Sequence, residues 1–282
     1  TRRSSDLEDS LITEPEQDPA EQAVLDAIYK ASRQRQREDF KLAAKTAGDA
    51  VKAAEDINYD FGQMKAYNVL ALTLTDIGDY DDALSEFGYG LDIAERIKDK
   101  SAFVAIKSNI GRVYKRLSRY NEALVAFDEA LLNNEDLNDA NRNLRKAKLY
   151  FNIGGVRASQ GYIDLAFEKY KQALSLLPED SKEVSPSFKA SIYNNIGQLL
   201  RLRGELALAL SYFDKAYSIR LEYKNKTHAL QTACEIAEIF VELGAYDDAL
   251  QIGMRAMRLR VSRKSTLKLR MMLILSDIHY YR

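Results

Sequence analysis

From Asn109 to Ala130 the chain reads NIGRVYKRLSRYNEALVAFDEA. Ile110, Val113, Tyr114 and Leu117 fall three or four residues apart, and after Arg119 and Tyr120 so do Ala123, Leu124, Phe127, Ala130 and Leu131. Apolar residues at that spacing line one face of a helix, so the stretch predicts two amphipathic helices joined by a short turn. The pattern recurs along the chain. Ala43, Ala83, Ala123, Ala166, Ala209 and Ala249 stand 40 or 43 residues apart, each four residues before Ala47, Phe87, Phe127, Tyr170, Phe213 or Gly253. Twelve residues ahead of these alanines come Ala31, Ala71, Gly111, Gly154, Gly197 and Ala237; seven residues after them come Ala50, Gly90, Ala130, Ala173, Ala216 and Ala256. Three columns of small residues imply helices that cross too closely for a larger side chain. In four of the six repeats a glycine (Gly78, Gly161, Gly204, Gly244) follows the first helix, where a left-handed residue would end it.

Outside this pattern the chain is informative in three places. Thr1 to Gln17 has no periodicity, is rich in acids and contains Pro15; it is expected to be a disordered acidic tail. Asp18-Pro19-Ala20-Glu21 then reads as a helix start, with Asp18 as the cap and Pro19 in the first turn. Repeat one departs most from the rest, with Gln34, Glu38 and Ala47 replacing an apolar residue, a glycine and an aromatic, as suits an end cap facing water. Asn133 to Asp139 and Pro178 to Pro186 are connectors that explain the two 43-residue periods. The last helix, from about Thr266, is apolar all the way round, and the expectation is that a continuation of the chain, or a homodimer contact, covers it.

These columns resemble the tetratricopeptide repeat family, over roughly residues 22 to 282. Repeat five carries the match most fully in Tyr193, Ile196, Gly197, Leu200, Ala209, Phe213 and Ala216. The period exceeds the family's usual unit of about 34 residues, which is similar to the long-repeat branch of polarity adaptors, kinesin light chains and bacterial signalling proteins. The family's terminal proline survives only as Pro178. The resemblance implies an all-α fold, a right-handed α-solenoid of stacked antiparallel helix pairs. It would run as one array over 18–282, with repeats at 24–63, 64–103, 104–146, 147–189, 190–229 and 230–268 and a terminal helix at 266–282. It also implies a non-catalytic protein-interaction module.

Composition adds mainly exclusions. The formal net charge is −1, so no global field points to nucleic acid or a membrane surface. No apolar run reaches the roughly 18 residues of a membrane span. One cysteine, Cys234, rules out an internal disulfide framework and leaves the compartment open, with cytoplasm the default and periplasm the alternative if an upstream signal was removed. The chain does not begin with Met, so an upstream signal or domain is expected. His228 and His279 have no metal-ligand spacing with Cys234 or a carboxylate, and no His is placed to activate the thiol, so no metal, cofactor or catalytic group is expected. Gly154-Gly155 lies mid-helix in repeat register and is not a phosphate loop.

In the family the first helix of each repeat lines a concave face, and the groove positions are those the small and aromatic columns leave over. They give Asn109, Arg112, Lys115 and Arg116 in repeat three, Lys148 and Asn152 in repeat four, and Asn195, Gln198 and Arg201 in repeat five, with Ser108, Ser191 and Asn194 beside them. Asn109, Asn152 and Asn195 occupy one column. A carboxamide both donates and accepts, as an extended peptide backbone requires, and the cations beside it suit a carboxylate. The expected partner is an extended or acidic peptide segment; the alternative is a sensory input domain of a larger signalling protein. Arg255, Arg258, Arg260, Arg263, Lys264, Lys268 and Arg270 read as a solvated outer face, Glu235, Glu238 and Glu242 as an acidic patch of groove. Arg157, in an apolar column, is expected to snorkel or to pair with an acid.

Overall fold

The computed structural model describes residues 18–178, 186–261 and 266–281. The expected tail over 1–17 and most of the second connector lie outside the described residues. Thirteen helices and no strand are present among the described residues. They are α1 (Pro19–Gln36), α2 (Phe40–Asp56), α3 (Asp60–Ile77), α4 (Tyr80–Arg96), α5 (Lys100–Arg116), α6 (Tyr120–Glu135) and α7 (Arg142–Ser159). There follow α8 (Ile163–Ser175), α9 (Pro186–Leu202), α10 (Leu206–Glu222), α11 (Lys226–Glu242), α12 (Tyr246–Met257) and α13 (Thr266–Tyr281). Odd-numbered helices up to α11 are the first of a repeat and even-numbered ones the second; α1 to α4 pack in sequence within the first unit, and α6 to α12 within the second. The helices fall into two compact units, Thr1–Val113 and Tyr114–Arg282.

Asp18 caps α1 by accepting from the Ala20 amide at 2.8 Å, with Pro19 in the first turn where a missing N–H costs nothing. Gly78, Gly161, Gly204 and Gly244 have φ of 103°, 82°, 77° and 71°. Glu38, Asn58, Lys98, Ser118 and Lys224 also take positive φ, so the same one-residue reversal serves both within and between repeats. At each reversal the following amide bonds back five residues, as in Asp79 N to Leu74 O at 3.0 Å and Asp99 N to Ala94 O at 2.9 Å. The turn demands a backbone conformation, and glycine meets it with no side-chain penalty.

The small columns meet the aromatic one. A Cβ on Gly154 would lie 2.8 Å from the Tyr170 ring, and one on Gly197 2.9 Å from the Phe213 ring, so each ring rests on bare backbone. All six alanines of the defining column are fully buried, as are Phe87, Phe127 and Phe213. Where the α6 to α7 connection is longer, side chains order it. Buried Asn134 donates to the Arg142 carbonyl at 3.1 Å and accepts from Arg145 Nε at 2.8 Å, while Arg145 also pairs with Asp139 at 2.7 Å. Glu135 binds both Arg142 and Lys146.

Helix α13 packs on α11 and α12 through Met271, Ile274 and Ile278. Its sequence is apolar all round, yet only this side is buried: Leu269, Met272 and Leu273 remain 57%, 54% and 66% exposed. No described helix is long and apolar enough to cross a membrane.

Candidate functional site

The nine groove positions lie on first helices, four on α5, two on α7 and three on α9. In the first compact unit, Asn109 donates to Asn68 Oδ1 at 3.2 Å and accepts from Arg112 at 3.2 Å. Its carboxamide is thus engaged within the protein.

In the second compact unit the groove positions separate into two kinds. Arg116 and Lys148 are exposed and Gln198 half-buried, and none has a hydrogen bond or ion pair among the described residues. Asn152 is half-buried and engaged. Asn195 donates to the Tyr170 hydroxyl at 3.2 Å, and burial pushes that phenol up to about 12. Lys115 is not an open cation. Its ammonium packs onto Gly155, so near that a Cβ there would lie 2.6 Å from Nζ, and burial lowers its pKa.

Arg201 also departs from its expected role. It pairs with Glu235 at 3.3 Å, Glu238 at 2.8 Å and Glu242, while Arg270 of α13 grips Glu235 at 3.1 Å and Glu238 at 2.6 Å. Two arginines therefore bridge three glutamates across α9, α11 and α13. The glutamates do not form an open acidic patch, and Arg270 does not belong to a solvated outer face. These partners stand 34 to 41 residues apart in the chain, or 32 to 35 for Arg270, so no local spacing announces them.

Asn194, expected on the groove, is buried. It accepts at 2.9 Å from Arg220, which also donates to the His228 carbonyl at 3.1 Å and to Thr232 Oγ1. Arg220 is 5% exposed with no carboxylate paired to it among the described residues, and burial drops its pKa to about 10. The cation ties the α10 to α11 turn to α9. Arg157 bonds Gln160 at 3.1 Å and lies over the Tyr162 ring, with no acid in contact among the described residues. Cys234 is buried with Sγ 3.7 Å from the Leu267 carbonyl of α13, and burial pushes its thiol up to about 11. No group of three or more metal-binding side chains gathers among the described residues.

Sequence reading overlooked one feature. In the first compact unit a cleft of about 260 Å³ opens between α3 and α5. Met64 and Ile106 form its floor, Phe61, Ala102 and Ala105 its walls, and Lys65, Asn68 and Asp99 its polar rim. The signal was available in the register of the repeats, because Ala102 stands where repeat five has Phe188.

Comparison with known proteins was consistent with this architecture. The tetratricopeptide repeat pattern matches residues 188–260 and 104–132. The mouse protein called tetratricopeptide repeat protein 36 is 40% identical over 68 residues, 24% of this chain and 32% of its own length, so the match spans about a third of that relative. Among solved structures, a signal transduction ATPase with a tetratricopeptide repeat sensor from Pyrococcus horikoshii superposes with a TM-score of 0.74 at 15% identity, over 93% of this chain and 40% of that one. PilF of Pseudomonas aeruginosa gives 0.60 at 17% identity, over 93% and 99%. BtubC of P. vanneervenii gives 0.62 at 22% identity, over 73% and 82%. At these identities the superpositions speak to fold alone. With its small-residue columns, left-handed turns and ring-on-glycine contacts, the chain carries tetratricopeptide repeats, the units of a helical scaffold for protein interaction.

Proposed function

We propose that the chain binds an extended or partly helical segment of a partner protein along its first helices, and that the segment carries Asp, Glu or a free carboxylate. The observation that carries this reading is the pair of exposed cations Arg116 and Lys148, which have no carboxylate among the described residues, in the same compact unit where Arg201 and Arg270 are neutralised. Gln198, half-buried and without a hydrogen bond among the described residues, supplies an amide for the peptide backbone. An ion pair at such an exposed site weakens as salt rises, because screening acts over about 10 Å at 0.1 M.

The test is a pulldown from the native source with the parent chain, an Arg116→Glu/Lys148→Glu variant and an Arg258→Glu control on the far end of α12. The parent and the control should retain the same partners, and the double reversal should lose them; equal retention by all three would overturn the reading. A second reading, an input module within a larger signalling protein, draws on the exposed Leu269, Met272 and Leu273 of α13, a surface suited to packing against further protein.

A further inference from the structure

The seam between α3 and α5 and the seam between α7 and α9 join equivalent helices of successive repeats. Lys65 corresponds to Lys148, Ile106 to Ile192, Asn68 to Phe151 and Ala102 to Phe188. In the α7/α9 seam the protein fills the space itself: Phe151 and Phe188 meet edge to face at 5.3 Å, and Phe151 also packs on Tyr170 at 5.5 Å. In the α3/α5 seam both ring positions are small or polar, and the cleft of about 260 Å³ is what remains.

We infer that this cleft seats one large apolar side chain, aromatic or Leu-sized, of a linear peptide whose next residue is acidic. The floor of Met64 and Ile106 is buried and apolar, and Phe61 offers a ring wall for edge or offset stacking. Asn68 spends only its Oδ1, on Asn109, which leaves its amide N–H groups for a peptide carbonyl. The Lys65 ammonium lies 4.2 Å from the Phe61 ring centroid with no carboxylate paired to it among the described residues, and so stands at the mouth of the cleft for an acid. The facing acid, Asp99, is already in use: its Oδ1 accepts from the Ala102 amide at 2.9 Å at the positive end of α5. The inference rests on the peptide-binding reading above and narrows it to an apolar anchor followed by a carboxylate.

The test titrates acetyl-Gly-Phe-Glu-Gly-amide into the full chain carrying ¹³C-methyl alanine, with the Gly-Ser-Glu-Gly and Gly-Phe-Gln-Gly analogues as comparators. The Phe-Glu peptide should move the Ala102 and Ala105 methyl signals saturably, the Ser analogue should not move them, and the Phe-Gln analogue should bind at least threefold more weakly. Ala102→Phe, which recreates the ring of the other seam, should abolish the response. Lys65→Gln, a surface change that leaves the core alone, should erase the difference between the Glu and Gln peptides. Silent Ala102 and Ala105 methyls, or an equal response to the Ser analogue, would overturn the inference. If those methyls are silent while the Arg116/Lys148 reversal strips the bait of partners, the cleft falls and the wider reading stands. The opposite pair of results would leave the cleft and remove the wider reading.

Discussion

Repeats five and six solve one packing problem in two ways. Between α9 and α10 the Phe213 ring lies on Gly197, and the repeat closes its own core. Between α11 and α12 the ring position is Gly253, and the space is taken from outside: a Cβ on Gly253 would lie 2.7 Å from Leu275 Cδ2 and 3.1 Å from Met271 Sδ, both on α13. The difference teaches that α13 is not an appendage to repeat six but a supplier of the side chains its core lacks. An aromatic given up by one helix has become a socket for the next.

The strongest way to break this comparison is to empty the socket. Met271→Ala removes a fully buried side chain, and loss of transfer energy plus a cavity should cost about 2–5 kcal/mol in urea or thermal unfolding. The same variant should speed iodoacetamide labelling of Cys234. In the parent that thiol sits under α13 and ionises only near pH 11, so labelling should stay slow even at pH 9. Parent-like labelling in the variant would show that α13 does not guard repeat six.

Gly197→Leu comes next. The Phe213 ring is rigid and already touches the backbone, so overpacking should cost about 1–3 kcal/mol. A variant melting like the parent would mean that the assigned register is wrong. The smallest effect is expected at Gly253→Ala, where the obstructing atoms are the ends of flexible Leu275 and Met271 side chains that can step aside. That change should cost less than about 1 kcal/mol and clearly less than Gly197→Ala. Equal losses at the two glycines would erase the distinction between a ring-filled and a socket-filled repeat.

The helices, their pairing and the crossing points were legible because each is written locally: a period of three or four, a small residue at fixed offset, a glycine at the reversal. Glu38, Asn58, Lys98, Ser118 and Lys224 were not legible as left-handed, since a turn fixed by the helices on either side imposes its conformation on whatever residue stands there. The candidate site was less legible than the fold. Periodicity places Arg201, Lys115 and Asn194 on first helices, but their partners, three glutamates, Gly155 and Arg220, come from neighbouring helices or repeats. Column spacing of 40 or 43 residues brings columns together without saying which side chains neutralise one another. Arg116 and Lys148 look no different in sequence from Arg201; what sets them apart is that no acid pairs with them among the described residues.

The connection between α6 and α7 has a consequence for how the chain is held together. At nine other connections a single left-handed residue and backbone bonds join one helix to the next, and dissolved ions barely touch them. Here the joint is made by Asn134, Glu135, Asp139, Arg142, Arg145 and Lys146, most of them charged and partly exposed. Exposed pairs of this kind weaken with ionic strength. The salinity of the surroundings therefore acts on this joint more than on those nine, so limited proteolysis of the intact protein should cut faster at residues 136–141 as salt rises.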